Sequence, residues 1–261
     1  MMEHTAVIGA GLVGSGWAIV FARAGKQVRV YDDVAAIRDV FLAVVRRQLV
    51  DLKNYELVDD PAAILARITV CNTLEDAVHG ARFVQESVFE DVAVKTEIST
   101  AIGPLLNDDA IVGSSTSGIP SSAFTSGVKN RERFLVTHPV NPPYLVPIVE
   151  VVPAPWTAED TVDRALALMV EVGQSPVLVR REVEGFILNR LQGVLLREAW
   201  DLFSEGYASA DDIDKTVSEG LGLRWYFMGP FETIDLNAPG GVADYAERLG
   251  PLYHAIQQSR T

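Results

Sequence analysis

Cysteine is nearly absent from this 261-residue chain: Cys71 stands alone, so no intramolecular disulfide can form. That scarcity, and a start at Met1 to His4 with no signal-peptide pattern, fits the cytoplasm. Positive charge is also in short supply. The 22 Lys and Arg residues against 35 Asp and Glu leave a formal net charge of −13. Neither nucleic acid nor an anionic membrane is then expected as a primary partner, because both demand clustered cations. Long apolar runs are missing too. The best candidate, Ala6 to Ala24, is broken by glycines, Ser15 and Arg23 and reads as a helix of a soluble protein rather than a membrane span. What remains is 48% hydrophobic with mixed charges, enough for one large or two modest globular domains.

The chain opens with a short buried-type strand, Thr5 to Ile8, followed at once by Gly9-Ala10-Gly11-Leu12-Val13-Gly14 and a helical run from Ser15 to Ala24. In strand, G-x-G-x-x-G, helix, the first glycine permits a tight turn and the second lets backbone approach a pyrophosphate. The third allows close helix packing, and the helix N-terminus offers free N–H groups to phosphate oxygens. A second strand, Val28 to Tyr31, ends at Asp32, the spacing expected of a ribose ligand. Asp32 would accept from both adenosine ribose hydroxyls, and Asp33 beside it would repel a 2′-phosphate, so NAD is favoured over NADP. Gly9, Gly11, Leu12, Val13, Gly14 and Asp32 are therefore the candidate cofactor residues; a glycine-rich turn that binds nothing is the weaker alternative.

Strands and helices then alternate: helix Ala35 to Leu52, a short helix Pro61 to Arg67, strand Ile68 to Cys71, helix Glu75 to His79, strand Phe83 to Glu86 and helix Asp91 to Ile102. Glu90 and Lys95 stand where a cofactor would emerge from such a sheet, and either could equally be a surface charge. Strand Ala110 to Ser114 runs into Ser115-Thr116-Ser117, beyond a strand end where ligands of open α/β sheets collect. A loop feeding a helix capped by Ser121 explains most of these serines but need not explain Ser117. Helix Thr157 to Val172 and strand Val177 to Arg180 complete a doubly wound α/β pattern. From Gly185 no convincing strand follows and apolar residues recur at helical spacing, which puts the boundary near Val183: residues 1–182 a doubly wound parallel-sheet domain, residues 183–261 a smaller all-helical one. Asn189 lies early in the first of these helices, where a solvated amide is the commoner fate. Among the aromatics Trp225, Tyr226, Phe227 and Phe231, which are expected to pack, Arg224 could grip a carboxylate in bidentate fashion.

Between the two patterns lies Val136 to Glu150, VTHPVNPPYLVPIVE. Phe134 to Thr137 reads as a buried strand, which leaves His138 on its rim, and Ile148 to Val152 is apolar except for Glu150. A carboxylate in such a strand is costly without a partner, and His138 is available. The pair would fix one imidazole tautomer and free the other nitrogen for proton transfer. A solvated Glu and a strand-terminal His in a turn is the competing account.

Taken together, Gly113-Ser114-Ser115-Thr116-Ser117, HPVNPPYLVPIVEVVP from His138 and EVEGFILNRLQ from Glu182 resemble the 3-hydroxyacyl-CoA dehydrogenase superfamily. The resemblance, from Val7 to about Leu249, implies a Rossmann-type NAD-binding domain and a helical C-terminal domain that builds a homodimer. It also implies a His138–Glu150 dyad, with Ser117 and Asn189 holding the substrate oxygen and Asn141 belonging to the same ordered set. EGLGLRWYFMGP, Glu219 to Pro230, is similar to the gulonate-type members and includes Arg224, whose charge suits a free carboxylate better than a thioester. The expected activity is NAD-dependent oxidation of the 3-hydroxyl of a small, L-gulonate-like 3-hydroxy acid, with no metal. The alternatives are a 3-hydroxyacyl-CoA or carnitine dehydrogenase and, in another class, a dinucleotide-binding structural protein without catalysis. The family's helical domain usually runs several helices past the position of Thr261.

Overall fold

The computed structural model describes residues 3–259, which divide into two compact units, 3–191 and 192–259. In the first unit the order is β1 (His4–Ile8), α1 (Leu12–Arg23), β2 (Val28–Tyr31), α2 (Ala35–Asn54), α3 (Pro61–Leu65), β3 (Ile68–Val70), α4 (Leu74–Val78) and β4 (Ala81–Glu86). After these come α5 (Val92–Ile102), β5 (Ile111–Ser114), α6 (Ser122–Thr125), β6 (Phe134–Pro139), β7 (Ile148–Pro153), α7 (Glu159–Glu171) and β8 (Ser175–Leu178). Helix α8 (Leu188–Ser204) begins in the first unit, and the second unit continues with α9 (Ala210–Lys215), α10 (Gly222–Trp225), α11 (Pro230–Asn237) and α12 (Gly241–Gln258).

All eight strands form one sheet in the order β3-β2-β1-β4-β5-β6-β7-β8. Alternation along β1 sends Val7 into a core with α1, α2 and α7, and Ala6 and Ile8 into a second core with α4 and α5 on the opposite face. Helices therefore cover both faces, as near-continuous apolar strands require. The strands are parallel through β6, but β7 is antiparallel to β6, and β8 is parallel to β7. The doubly wound parallel sheet expected from the sequence is thus present, with one antiparallel pair in it. The β6–β7 link carries no helix, and parallel neighbours need a long crossover.

Gly9 has φ +98°, and a Cβ on Gly14 would lie 1.9 Å from the Gly9 carbonyl oxygen, so α1 approaches the turn more closely than any side chain allows. Two residues on, a Cβ at Gly16 would stand 2.6 Å from Cδ of Pro143, in the loop between β6 and β7. Arg23 near the end of α1 donates to the Tyr144 carbonyl of that loop at 3.1 Å.

In the second unit, only Thr233 and Ala238 are buried among the described residues. Tyr226 and Phe227 are 79% and 78% exposed, and Trp225 and Phe231 are exposed too. The expectation that these rings pack is corrected: short helices with no second layer over them leave their apolar faces in solvent. No helix is long and apolar enough to cross a membrane among the described residues.

Candidate functional site

Beyond the carboxyl ends of β1 and β2 lies a groove of about 670 Å³, lined by the turn Gly9, Gly11, Leu12 and Val13, by Asp32 and Asp33, and by apolar groups including Leu74 and Ile98. It opens beside the β1–β4 junction, where the strand order reverses and open α/β sheets take their ligands. Around a Cβ built on Gly11 there is nothing within 4 Å, so this turn exposes bare backbone. The first helical bond of α1 runs from Ser15 N–H to Gly11 carbonyl, which leaves the earlier N–H groups to an anion. Asp32 accepts the N–H of Ala10 at 2.8 Å on Oδ2 and that of Val34 at 3.0 Å on Oδ1, and it retains lone pairs for ribose hydroxyls. The cation nearby, Arg38, donates to the carbonyls of Asp32 and Asp33 and lies over the Tyr31 ring. These residues fit a dinucleotide without a 2′-phosphate: bare backbone and helix N–H groups for its pyrophosphate, a carboxylate for its ribose.

Glu90 and Lys95 do not line this groove. Lys95 is 1% exposed, with Nζ 3.0 Å from Oε1 of Glu86, itself buried, and 3.4 Å from Oε2 of Glu90. Glu86 also accepts the Val88 N–H and the Ser114 hydroxyl. Burial raises the Glu90 carboxyl pKa, but the Thr116 hydroxyl, the Lys95 charge and both the N–H and hydroxyl of Ser117 outweigh it and hold the carboxyl below its ordinary value. Ser117 donates to Glu90 Oε1 from N at 2.7 Å and from Oγ at 3.1 Å, so its oxygen keeps lone pairs for another donor.

Strand β6 runs through Pro139, two residues further than its apolar run suggests, and this draws His138 inside: it is 7% exposed rather than on a rim. The antiparallel register sets Glu150 directly opposite, and Nδ1 of His138 lies 2.8 Å from Glu150 Oε2. With Nδ1 held, Nε2 is the nitrogen left for proton transfer. The other carboxylate oxygen of Glu150 accepts the N–H of Ile187 at 2.7 Å and of Leu188 at 3.0 Å, where α8 begins. Burial pushes the Glu150 carboxyl up, yet the His138 bond and the two backbone donors prevail and leave it lowered.

Gly185 and Phe186 hold these two N–H groups in place, with φ +73° and +49°. A left-handed Phe is uncommon and strained, and this one is fully buried with its ring centroid 5.6 Å from the His138 imidazole. At the second residue of α8, Asn189 donates from Nδ2 to the Ser117 carbonyl at 2.5 Å. A connected path therefore runs from His138 through Glu150 and the start of α8 to Asn189, Ser117, Glu90 and Lys95. Asn141 is exposed in the β6–β7 loop, and Arg224 is exposed on α10 of the second unit. Ser121, expected to cap α6, makes no cap bond; its buried hydroxyl donates to Glu182.

The family model for the NAD-binding domain of 3-hydroxyacyl-CoA dehydrogenase matches residues 4–183, and that for its C-terminal domain matches residues 185–259. The chain belongs to the 3-hydroxyacyl-CoA dehydrogenase family. It is an NAD-dependent oxidoreductase of that type, as the motifs of the sequence imply. Among relatives of this family, a lambda-crystallin homolog of Homo sapiens is 40% identical, over 96% of this chain and 80% of that one. An L-carnitine dehydrogenase of Burkholderia mallei is also 40% identical, over 96% and 78%. The solved structure of 5-formyl-3-hydroxy-2-methylpyridine 4-carboxylic acid 5-dehydrogenase, an NAD+-dependent dismutase, matches with a TM-score of 0.84 at 32% identity, over 98% of this chain and 81% of that one.

Sequence reasoning missed Phe186, the Glu86 carboxylate and the second duty of Glu150. The only signal of the first was its place after Gly185 and just before the helix. The other two depend on contacts that no local pattern encodes.

Proposed function

We propose that this dehydrogenase oxidises the 3-hydroxyl of a small, L-gulonate-like 3-hydroxy acid to the 3-keto acid. Gly9 to Gly14 would hold NAD+ with its ribose on Asp32, and the bound nicotinamide would supply the acceptor for the hydride from C3. His138 takes the hydroxyl proton on Nε2, and Glu150 stabilises the imidazolium on the opposite nitrogen. Ser117 and Asn189 hydrogen-bond the reacting oxygen, Asn141 lines the substrate side, and Glu90 and Lys95 support the nicotinamide end. Arg224 is the anchor for the substrate carboxylate. The observation that carries this reading is the buried 2.8 Å contact of His138 with Glu150, whose carboxyl is held below its ordinary value.

The similarity to an L-carnitine dehydrogenase favours a second substrate with the same chemistry, because carnitine is also a 3-hydroxy acid with a free carboxylate. The exposed apolar faces of α8, α10 and α12 support a homodimer, checked by sedimentation of the purified chain. Substrate choice is tested by NADH formation with L-gulonate, L-carnitine, 3-hydroxybutyrate and 3-hydroxybutyryl-CoA on one preparation. Turnover of the free acids alone is expected, and Arg224→Leu should raise their KM with kcat little changed. Preferred turnover of the thioester, or an unchanged KM in the variant, overturns the anchor.

A further inference from the structure

One polar cluster beside the groove has no part in the reading above. Ser115, just past β5, receives the indole N–H of Trp17 at 3.1 Å and the Gln85 carboxamide Nε2 at 2.8 Å, and its oxygen lies 2.8 Å from the Ser87 hydroxyl. The carboxamide is oriented in turn, because Thr137 donates to Gln85 Oε1 at 2.9 Å. Gln85 and Thr137 are fully buried, on β4 and on β6 immediately before His138.

The inventory of donors gives this cluster a direction. A serine oxygen has two lone pairs and one proton. Both lone pairs of Ser115 are taken by Trp17, which can only donate, and by the Gln85 amide. Its proton therefore goes to Ser87, which leaves the Ser87 proton without a protein acceptor: Ser115 is the one hydrogen-bond partner of that side chain among the described residues. Ser87 is half-buried and lines the groove at the end of β4, across the β1–β4 junction from the glycine turn. Its backbone is already committed there. Its N–H donates to the Ile8 carbonyl at 2.6 Å, and its own carbonyl oxygen stands 2.4 Å from where a Cβ on Gly9 would be. The hydroxyl is therefore the donor that Ser87 has left to meet a ligand.

We propose that Ser87 is a cofactor-binding residue, its hydroxyl donating to an oxygen of the nicotinamide-side phosphate or ribose of the dinucleotide, and that Ser115, Gln85 and Trp17 are positioning residues that aim it. A donor suits that place because the central part of the dinucleotide presents acceptors, and anionic ones on the phosphates. The proposal depends on NAD binding alone, not on which hydroxy acid is the substrate.

The experiment is a titration of the full-length protein with NADH, read by nicotinamide fluorescence, with AMP titrated in parallel by calorimetry. Ser87→Ala should weaken NADH about tenfold, the scale of one hydrogen bond to a charged acceptor, and leave AMP binding unchanged. Ser115→Ala should weaken NADH by a smaller factor, and the double variant should bind no worse than Ser87→Ala, since the positioning residue acts only through Ser87. Wild-type NADH affinity in Ser87→Ala overturns the proposal. It would mean the Gln85 amide is turned, so that Ser115 donates to Gln85 and Ser87 to Ser115. An equal loss for AMP also overturns it, because that marks a distorted groove, as do losses that multiply in the double variant.

Discussion

At the ends of β1 and β2 the molecule offers mostly backbone, whereas between β6 and β7 it offers side chains. The first place is a bare glycine turn, the unpaired N–H groups of α1 and one carboxylate, Asp32, all within a short stretch of chain. The second is assembled from His138, Glu150, Asn189, Ser117 and Glu90, each held by a partner on another segment. Backbone binding tolerates many side chains around it but few changes at its glycines. A side-chain site is reversed in its demands: each group is replaceable in principle, but each depends on the next to hold its orientation.

The largest effect should come from removing His138, the base in the proposed reaction. His138→Gln is expected to lower kcat by about 10²–10⁴-fold while NADH affinity stays near wild type, measured by steady-state rates and a fluorescence titration. Near-normal turnover would remove His138 from the chemistry. Next, Asp32→Ala should raise the KM for NAD+ by roughly 10–100-fold, the worth of charge-assisted hydrogen bonds, with kcat little altered. A comparable fall in kcat would show that the two places are not separable. The smallest effect concerns stability in acid. The carboxyls of Glu150 and Glu90 are lowered in the native state, so their contribution is complete above the ordinary glutamate value of about 4.3 and is lost as pH falls through their lower native values. Melting temperatures measured from neutral pH down through that window should fall, and less steeply in Glu150→Gln. Equal slopes would place the acid sensitivity elsewhere.

The same contrast accounts for what could be read in advance. The glycine turn, Asp32 and most strands were legible within a residue or two, because their determinants are consecutive or periodic. The pairing of His138 with Glu150 was legible as a need of an apolar strand for a partner. Its burial was not, since nothing local says that β6 continues through Pro139. Lys95 carried the pattern of a surface or cofactor residue, yet a buried Glu86 draws it inside. The left-handed Phe186 is set by the two N–H groups that must reach Glu150, a requirement imposed from 37 residues away. The aromatics from Trp225 to Phe231 were expected to pack because composition records how apolar a segment is and not what lies over it.

Gly16 has no contact with a cofactor to its credit, but its missing side chain is what lets Pro143 seat on α1, and Arg23 ties the same loop two turns later. The loop that follows the histidine is thus moulded on the helix that follows the glycine turn. Positions 16 and 143 cannot drift independently: a lineage that enlarges one must reshape the other, and the two would be inherited as a pair although they lie 127 residues apart in the sequence.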